Sequence, residues 1–156
     1  MYSHLNYNNL VRKEANYFTN LTIQNSNYNK SIWIQEENFT SRVAKKFDEV
    51  YVIIGCIYDS IPDMTNYKIA RPDKFFRVLL VKDKNQFQSI GLISLNDFDL
   101  LFCPSQKFFS ISKIEEITNL QFFSDLEESI QKKLKSDSTY NFWIENFGLD
   151  LKQTSE

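Results

Sequence analysis

Three side chains stand at four-residue steps along one short stretch: Asn29, Trp33 and Glu37. An amide oxygen and a carboxylate are hard oxygen donors, the kind a Mg²⁺ ion accepts while keeping most of its waters. On one helix these positions share a face, and about 12 Å of axial rise separates the first from the last, so both cannot easily ligate one ion directly. Each residue also has a plainer reading. Asn29 precedes an apolar-periodic run and can cap a helix, Trp33 can be core, and Glu37 can lie on a solvated face. His4 is the single histidine of the chain, and it is the one imidazole available to a general base. Arg42 supplies a nearby positive charge.

Other chemistries are excluded by count. Gly55, Gly91 and Gly148 are the only glycines, so neither G-x-G-x-x-G nor a Walker A loop can be written. Cys56 and Cys103 lack C-x-x-C spacing and are too few for a disulfide framework or a structural zinc site; both sit among apolar neighbours and read as buried thiols. The net charge of -2 creates no global field for a polyanion, so nucleic-acid binding would depend on a local patch. With 42% hydrophobic and 24% charged residues the 156-residue chain has the composition of a soluble globular protein, unusual only in its 15% aromatic share. No apolar run approaches the roughly 18 residues of a membrane span. The N-terminus MYSHLNYNNLVRKE is polar where a signal peptide needs its apolar region, so the chain as written reads as intracellular; a mitochondrial or secreted location reopens if the true start lies upstream.

The elements that must position these residues follow from periodicity. Tyr17 to Ile23 reads as a short strand. From Ser31 to Phe47, Ile32, Phe39, Val43 and Phe47 recur at helical spacing, giving an amphipathic helix with one buried stripe and with Glu36, Glu37, Lys45 and Lys46 on its other sides. Val50 to Tyr58 (VYVIIGCIY) is a continuous β-branched run and reads as a central strand covered on both faces. Phe75 to Val81 and Ser89 to Leu95, joined by the polar KDKNQ, read as a hairpin, and SIPDMTNYKIARPDK before them as a loop. Leu100 to Phe109 is strand-like or irregular. A short helix should open with Ser112 as cap and Glu115 three residues on, and end near Asn119. Amphipathic segments from Ser124 to Lys135 and Thr139 to Phe147 precede a polar tail over 148–156. Without repeats or linkers, residues 1–156 make a single α+β domain.

Read in order, these segments resemble the DNA/RNA non-specific endonucleases, the ββα-metal nucleases of the mitochondrial endonuclease G type. Asn16-Tyr17-Phe18-Thr19-Asn20-Leu21-Thr22-Ile23-Gln24 is similar to the family's F-x-x-S-N-x-x-P-Q. Asn29, Trp33 and Glu37 fit its N-x-x-x-W-x-x-x-E, which an Arg follows four residues later. Val52 to Tyr58 resembles V-x-T-G-P-x-Y, Pro72 to Val78 the V-P-x-x-F-y-K-V strand, and Ser110 to Phe123 the V-x-x-I-E-x-x-T-G-L-x-F-F helix. The likeness spans about residues 15–126, with the C-terminal helices of 124–147 beyond it.

The resemblance implies an α+β fold with a mixed, mainly antiparallel central sheet flanked by helices, here truncated at its N-terminal side. It implies Mg²⁺-assisted hydrolysis of DNA and RNA phosphodiesters with little base preference, Mn²⁺ being the substitute ion. Asn29 would be the metal ligand, Glu37 would act through a metal-bound water, His4 would activate water, Arg42 would neutralise developing charge, and Asn20 would support the site. Nucleic acid, held through its backbone phosphates, and a second copy in a homodimer are the implied partners. The chain departs from the family in several places. The D-R-G before the histidine is absent and His4 lies sixteen residues before Asn20. The place of the family's Arg is Ser41. Asn119 stands for the Gly of T-G-L, Cys56 for the Pro of T-G-P and Ile23 for the Pro of P-Q, while Arg77 keeps the positive charge that the family usually carries as Lys. Two other readings follow from these departures: a catalytically impaired remnant that binds nucleic acid or protein, and a plain interaction module with an aromatic surface.

Overall fold

In the computed structural model, residues 21–58, 63–64, 69–84, 86–97 and 106–149 are described. In chain order their helices are α1 (Ser26–Lys30), α2 (Ile32–Lys46), α3 (Ile111–Thr118), α4 (Glu128–Lys135) and α5 (Tyr140–Phe147). Their strands are β1 (Glu49–Ile57), β2 (Asp63–Met64), β3 (Ala70–Arg71), β4 (Lys74–Asp83), β5 (Gln86–Leu95) and β6 (Gln106–Phe109). Among the described residues no helix is long and apolar enough to cross a membrane.

The expected hairpin is the centre of the sheet. β4 and β5 pair antiparallel from Lys74↔Leu95 to Asp83↔Gln86, with Lys84 at the turn in positive φ (45°). β1 adds to the other side of β4, from Glu49↔Lys82 to Ile57↔Lys74, and β6 to the far side of β5, giving the order β1-β4-β5-β6 with every pair antiparallel. Seven consecutive residues of β4, Phe75 to Val81, are buried, because helices cover both faces of this strand. On one face Leu79, Val81, Ile90 and Leu92 meet Phe39 and Val43 of α2 and Trp143 of α5. On the other, Phe76, Val78 and Ile93 meet Ile111 and Ile114 of α3 and Phe122. The α+β class with a central antiparallel sheet flanked by helices is therefore what the chain adopts.

Four expectations need correction. The β1 run is not central: it is the outermost strand of its sheet among the described residues, and Tyr51, Val52, Ile53 and Ile54 are all exposed. A continuous apolar run signals cover on two faces, but here the helices lie over β4 and β5, and β1 receives only their margin. Cys56, on that strand, is consequently half-buried, with its thiol 3.6 Å from the Thr22 hydroxyl. The segment read as a loop before β4 contains the short β2–β3 pair. The third helix begins two residues earlier than expected, with Ser110 rather than Ser112 at its N-cap; Glu115 reaches instead to the Phe122 amide (2.7 Å) and Lys135 (2.9 Å). That helix does end at Asn119, whose left-handed conformation (φ 54°) an Asn tolerates. Cys103 and residues 17–20 of the first expected strand lie outside the described residues.

Candidate functional site

The helical stretch expected from Asn29 through Phe47 is two helices, not one. Asn25 caps the first, its side chain accepting from the amides of Asn27 (2.8 Å) and Tyr28 (3.4 Å). The helix then breaks at Ser31 (φ -121°, ψ -79°), where the Ser31 amide bonds Tyr28 and its hydroxyl bonds the Asn27 carbonyl at 2.5 Å. Serine competes in this way with the helical ladder. Asn29 therefore sits in α1 and Glu37 in α2, and the separation computed for a single helix does not apply.

A clamp fixes where α1 begins. The buried Asn96, just past β5, accepts from the Asn25 amide (2.7 Å) and donates to the carbonyls of Ile23 (3.1 Å) and Pro72 (2.8 Å). The chain leading into α1 is thereby tied to the end of the sheet. From there Tyr28 turns inward, its ring stacked on Phe75 (5.4 Å, 7°) and its hydroxyl 2.7 Å from Ser94. Burial, followed by the negative charge of Glu36, pushes this phenol above its usual value.

Trp33, in the first turn of α2, packs edge-on against Phe75 (5.5 Å) and beside Tyr28 (6.1 Å). Its indole N–H donates to Glu37 Oε1 at 3.0 Å, one helical turn on. Asn29 is exposed directly after Tyr28, and Glu37 is half-buried. The Tyr28–Trp33 contact thus links the two candidate residues across the break.

Beneath them lies a charged pair, Arg77 and Glu36, and the burial of Glu36 corrects its expected place away from the buried stripe. Phe75 and Arg77 alternate onto the same sheet face, and Arg77, 3% exposed, holds its guanidinium 5.0 Å above the Trp33 ring. It donates to the Glu36 carbonyl (3.0 Å) and the Thr40 hydroxyl (2.6 Å), and its Nη2 lies 3.7 Å from Glu36 Oε2. Glu36 is 2% exposed, and its Oε1 has no hydrogen-bond partner among the described residues. Burial raises its carboxyl above the ordinary range, against the opposing pull of Arg77 and Ser94. Both residues were findable. Glu36 falls within the Ile32, Phe39, Val43 stripe, and Arg77 interrupts an otherwise apolar strand, so each is a charge at a buried position and requires a partner.

The remaining candidates are placed differently. Arg42 is exposed, with its guanidinium 5.8 Å over the Phe39 ring. Five residues after Glu37 on an unbroken helix, it points about 140° away from that carboxylate. Ser41, at the family's arginine place, is half-buried. His4 and Asn20 lie outside the described residues. No cluster of three or more His, Cys, Asp or Glu side chains able to hold a metal occurs among the described residues. An exposed amide oxygen and a carboxylate with one oxygen already held by an indole suit a hard cation that keeps most of its waters, and do not suit a fully chelated zinc.

A family model described as DNA/RNA non-specific endonuclease matches residues 2–129. Among solved structures, the chain resembles one in the crystal structure of the EndoG/EndoGI complex, a study of the mechanism of EndoG inhibition. The two are 20% identical with a TM-score of 0.59, and the match covers 73% of this chain and 52% of that one. The chain spans about half the length of that relative, and the likeness is one of fold. No curated protein matches the chain.

Proposed function

We propose, since the chain belongs to the DNA/RNA non-specific endonuclease family, that it hydrolyses phosphodiester bonds of DNA and RNA without base preference, using a hydrated Mg²⁺ ion or Mn²⁺ in its place. The observation that carries this reading is the Trp33–Glu37 hydrogen bond of 3.0 Å beside the Tyr28–Asn29 turn. It holds one carboxylate oxygen and leaves the other to orient a water next to an exposed amide. Asn29 would ligate the ion through that amide oxygen, and Glu37 would accept from an ion-bound water. When bound, the ion polarises the phosphate and stabilises the leaving oxygen. His4 takes the proton of the attacking water, Asn20 supports the site by hydrogen bonding, and Arg42 contributes positive charge from the flank of α2.

Cleavage of supercoiled plasmid and of a folded RNA, with Mg²⁺ and with chelator, tests the reading. Metal-dependent cleavage of both supports it, and no cleavage by the folded chain refutes it. A second reading, a family member that binds nucleic acid or protein without catalysis, is favoured by two observations: the missing D-R-G and the orientation of Arg42 away from Glu37. Salt-sensitive duplex binding without cleavage supports that alternative.

The implied homodimer has a natural place at β1. Its outer edge pairs with no strand among the described residues and exposes Tyr51, Val52, Ile53 and Ile54, so a second copy could add its own β1 there. Sedimentation shows a dimer that Ile53→Lys dissociates if this is the interface, and a monomer if it is not.

A further inference from the structure

We infer that Arg77 is a positioning residue that sets the direction of the Glu37 carboxylate by acting through Trp33. This rests on the reading of Glu37 as the site carboxylate. Arg77 touches neither Asn29 nor Glu37 in any described contact, and at 3% exposure it cannot meet a nucleic-acid phosphate. Four of its contacts run to the helix that bears the site: the Trp33 ring above its guanidinium, the Glu36 carbonyl, the Thr40 hydroxyl and the Glu36 carboxylate. A guanidinium held 5.0 Å over an indole restricts how far that ring can tilt toward it.

The tilt matters because the indole has one donor. Trp33 Nε1 meets Glu37 Oε1 at 3.0 Å, and a rotated ring loses that bond or drags the carboxylate with it. Phe75 closes the opposite route, with its ring edge-on at 5.5 Å. Glu36 in turn anchors the arginine. The two adjacent glutamates of α2 thus have separate duties about 100° apart: Glu36 points into the core and holds Arg77, and Glu37 lies over Trp33. The ordering of a surface carboxylate by a buried cation is a reason to keep a charged pair that an apolar core would not need.

The chain has two tryptophans, so ¹⁵N-indole labelling yields two N–H signals. Trp143 donates to the Ser89 carbonyl (2.8 Å) deep in the core and serves as the internal control. In Glu37→Gln the Trp33 signal should move upfield, as its acceptor loses its charge. Arg77→Lys keeps the charge and lacks the planar fork, and it should move the Trp33 signal to or beyond the Glu37→Gln position while Trp143 stays in place. A Trp33 signal unmoved by Arg77→Lys, or moving together with Trp143, overturns the inference.

A double-variant cycle on cleavage gives the second arm. Arg77→Lys and Trp33→Phe should each lower turnover roughly 10-fold with little change in KM, and the double variant should be no slower than either. Additive losses overturn the inference. The spectrum also separates its failure from that of the nuclease reading. A wild-type chain that does not cleave, but whose Trp33 signal follows Arg77→Lys, refutes the proposed activity and sustains the coupling.

Discussion

Replacing Arg77 with Met removes the cation from beneath α2 while keeping an unbranched side chain of similar length. Glu36, 2% exposed, is then left without its counter-charge, and it is cheaper for it to take up a proton than to stay ionised. In the unfolded chain the same group titrates near its ordinary value of 4.5. A folded-state pKa raised above the unfolded one contributes stability that is fully present below about pH 4.5 and is lost as pH rises, at about 1.36 kcal/mol per pH unit. Above pH 4.5 the variant therefore loses stability through this one group until the pH passes its raised folded-state value.

The wild type shows the same slope in weaker form, because Arg77 pulls the Glu36 carboxyl down. The pH-independent part is small. Thr40 already donates to the Glu36 carbonyl at 2.8 Å, so that acceptor is not orphaned, and the lost stacking on Trp33 adds about 1 kcal/mol. Glu49, which pairs with Lys82 and gains stability in the opposite direction, is common to both proteins and cancels. Urea denaturation followed by far-UV circular dichroism between pH 4.5 and 7.5 should show Arg77→Met destabilised by about 2–3 kcal/mol at pH 7 and by about 1 kcal/mol or less at pH 4.5. A difference constant with pH would refute the assignment of Glu36 as the partner of a buried cation.

The other consequences are simpler to measure. Asn96→Ala removes three hydrogen bonds, two that tie Ile23 and Asn25 to the sheet end and one to the Pro72 carbonyl, and should cost about 2–3 kcal/mol, with faster amide exchange at Asn25 to Tyr28. Gly55→Ala places a methyl 2.3 Å from the Phe76 ring, which is itself wedged against Phe122, so thermal unfolding should report a loss of about 1–3 kcal/mol. Trp143→Ala should cost about 3–5 kcal/mol in denaturant and loosen α2, because the ring packs on Phe39 and Phe147 and satisfies Ser89.

The sequence made the sheet centre and its main helix legible because their signals are purely local. Phe75 to Val81 and Ser89 to Leu95 are apolar-rich runs, all but Leu95 buried under two covered faces, and the polar turn between them leaves only one pairing. Ile32, Phe39 and Val43 declare the inner face of α2 by spacing. β1 misled because apolar content measures what a strand could bury, not where the helices end. The break at Ser31 was hidden for a related reason: a serine is tolerated in a helix, and only the bonds to Asn27 and Tyr28 show that it leaves the ladder. Asn29, Trp33 and Glu37 were singled out by their order, and across the break Tyr28 and Trp33 meet on Phe75. Asn96 was missed, and Arg77 was noted only for its charge in the strand, because their partners lie dozens of residues away and no spacing rule connects them. Trp143 lies in a helix beyond the family match, yet it completes the core that supports α2.

The central claim is that the Asn29–Trp33–Glu37 segment holds a catalytic cation. The most direct measurement is plasmid nicking as a function of Mg²⁺ concentration by the parent chain, Asn29→Ala, and Lys30→Ala as the neighbouring exposed control. Parent and Lys30→Ala should nick with the same Mg²⁺ dependence, while Asn29→Ala should lose nicking across the range. Asn29→Ala cleaving like its parent would contradict the account.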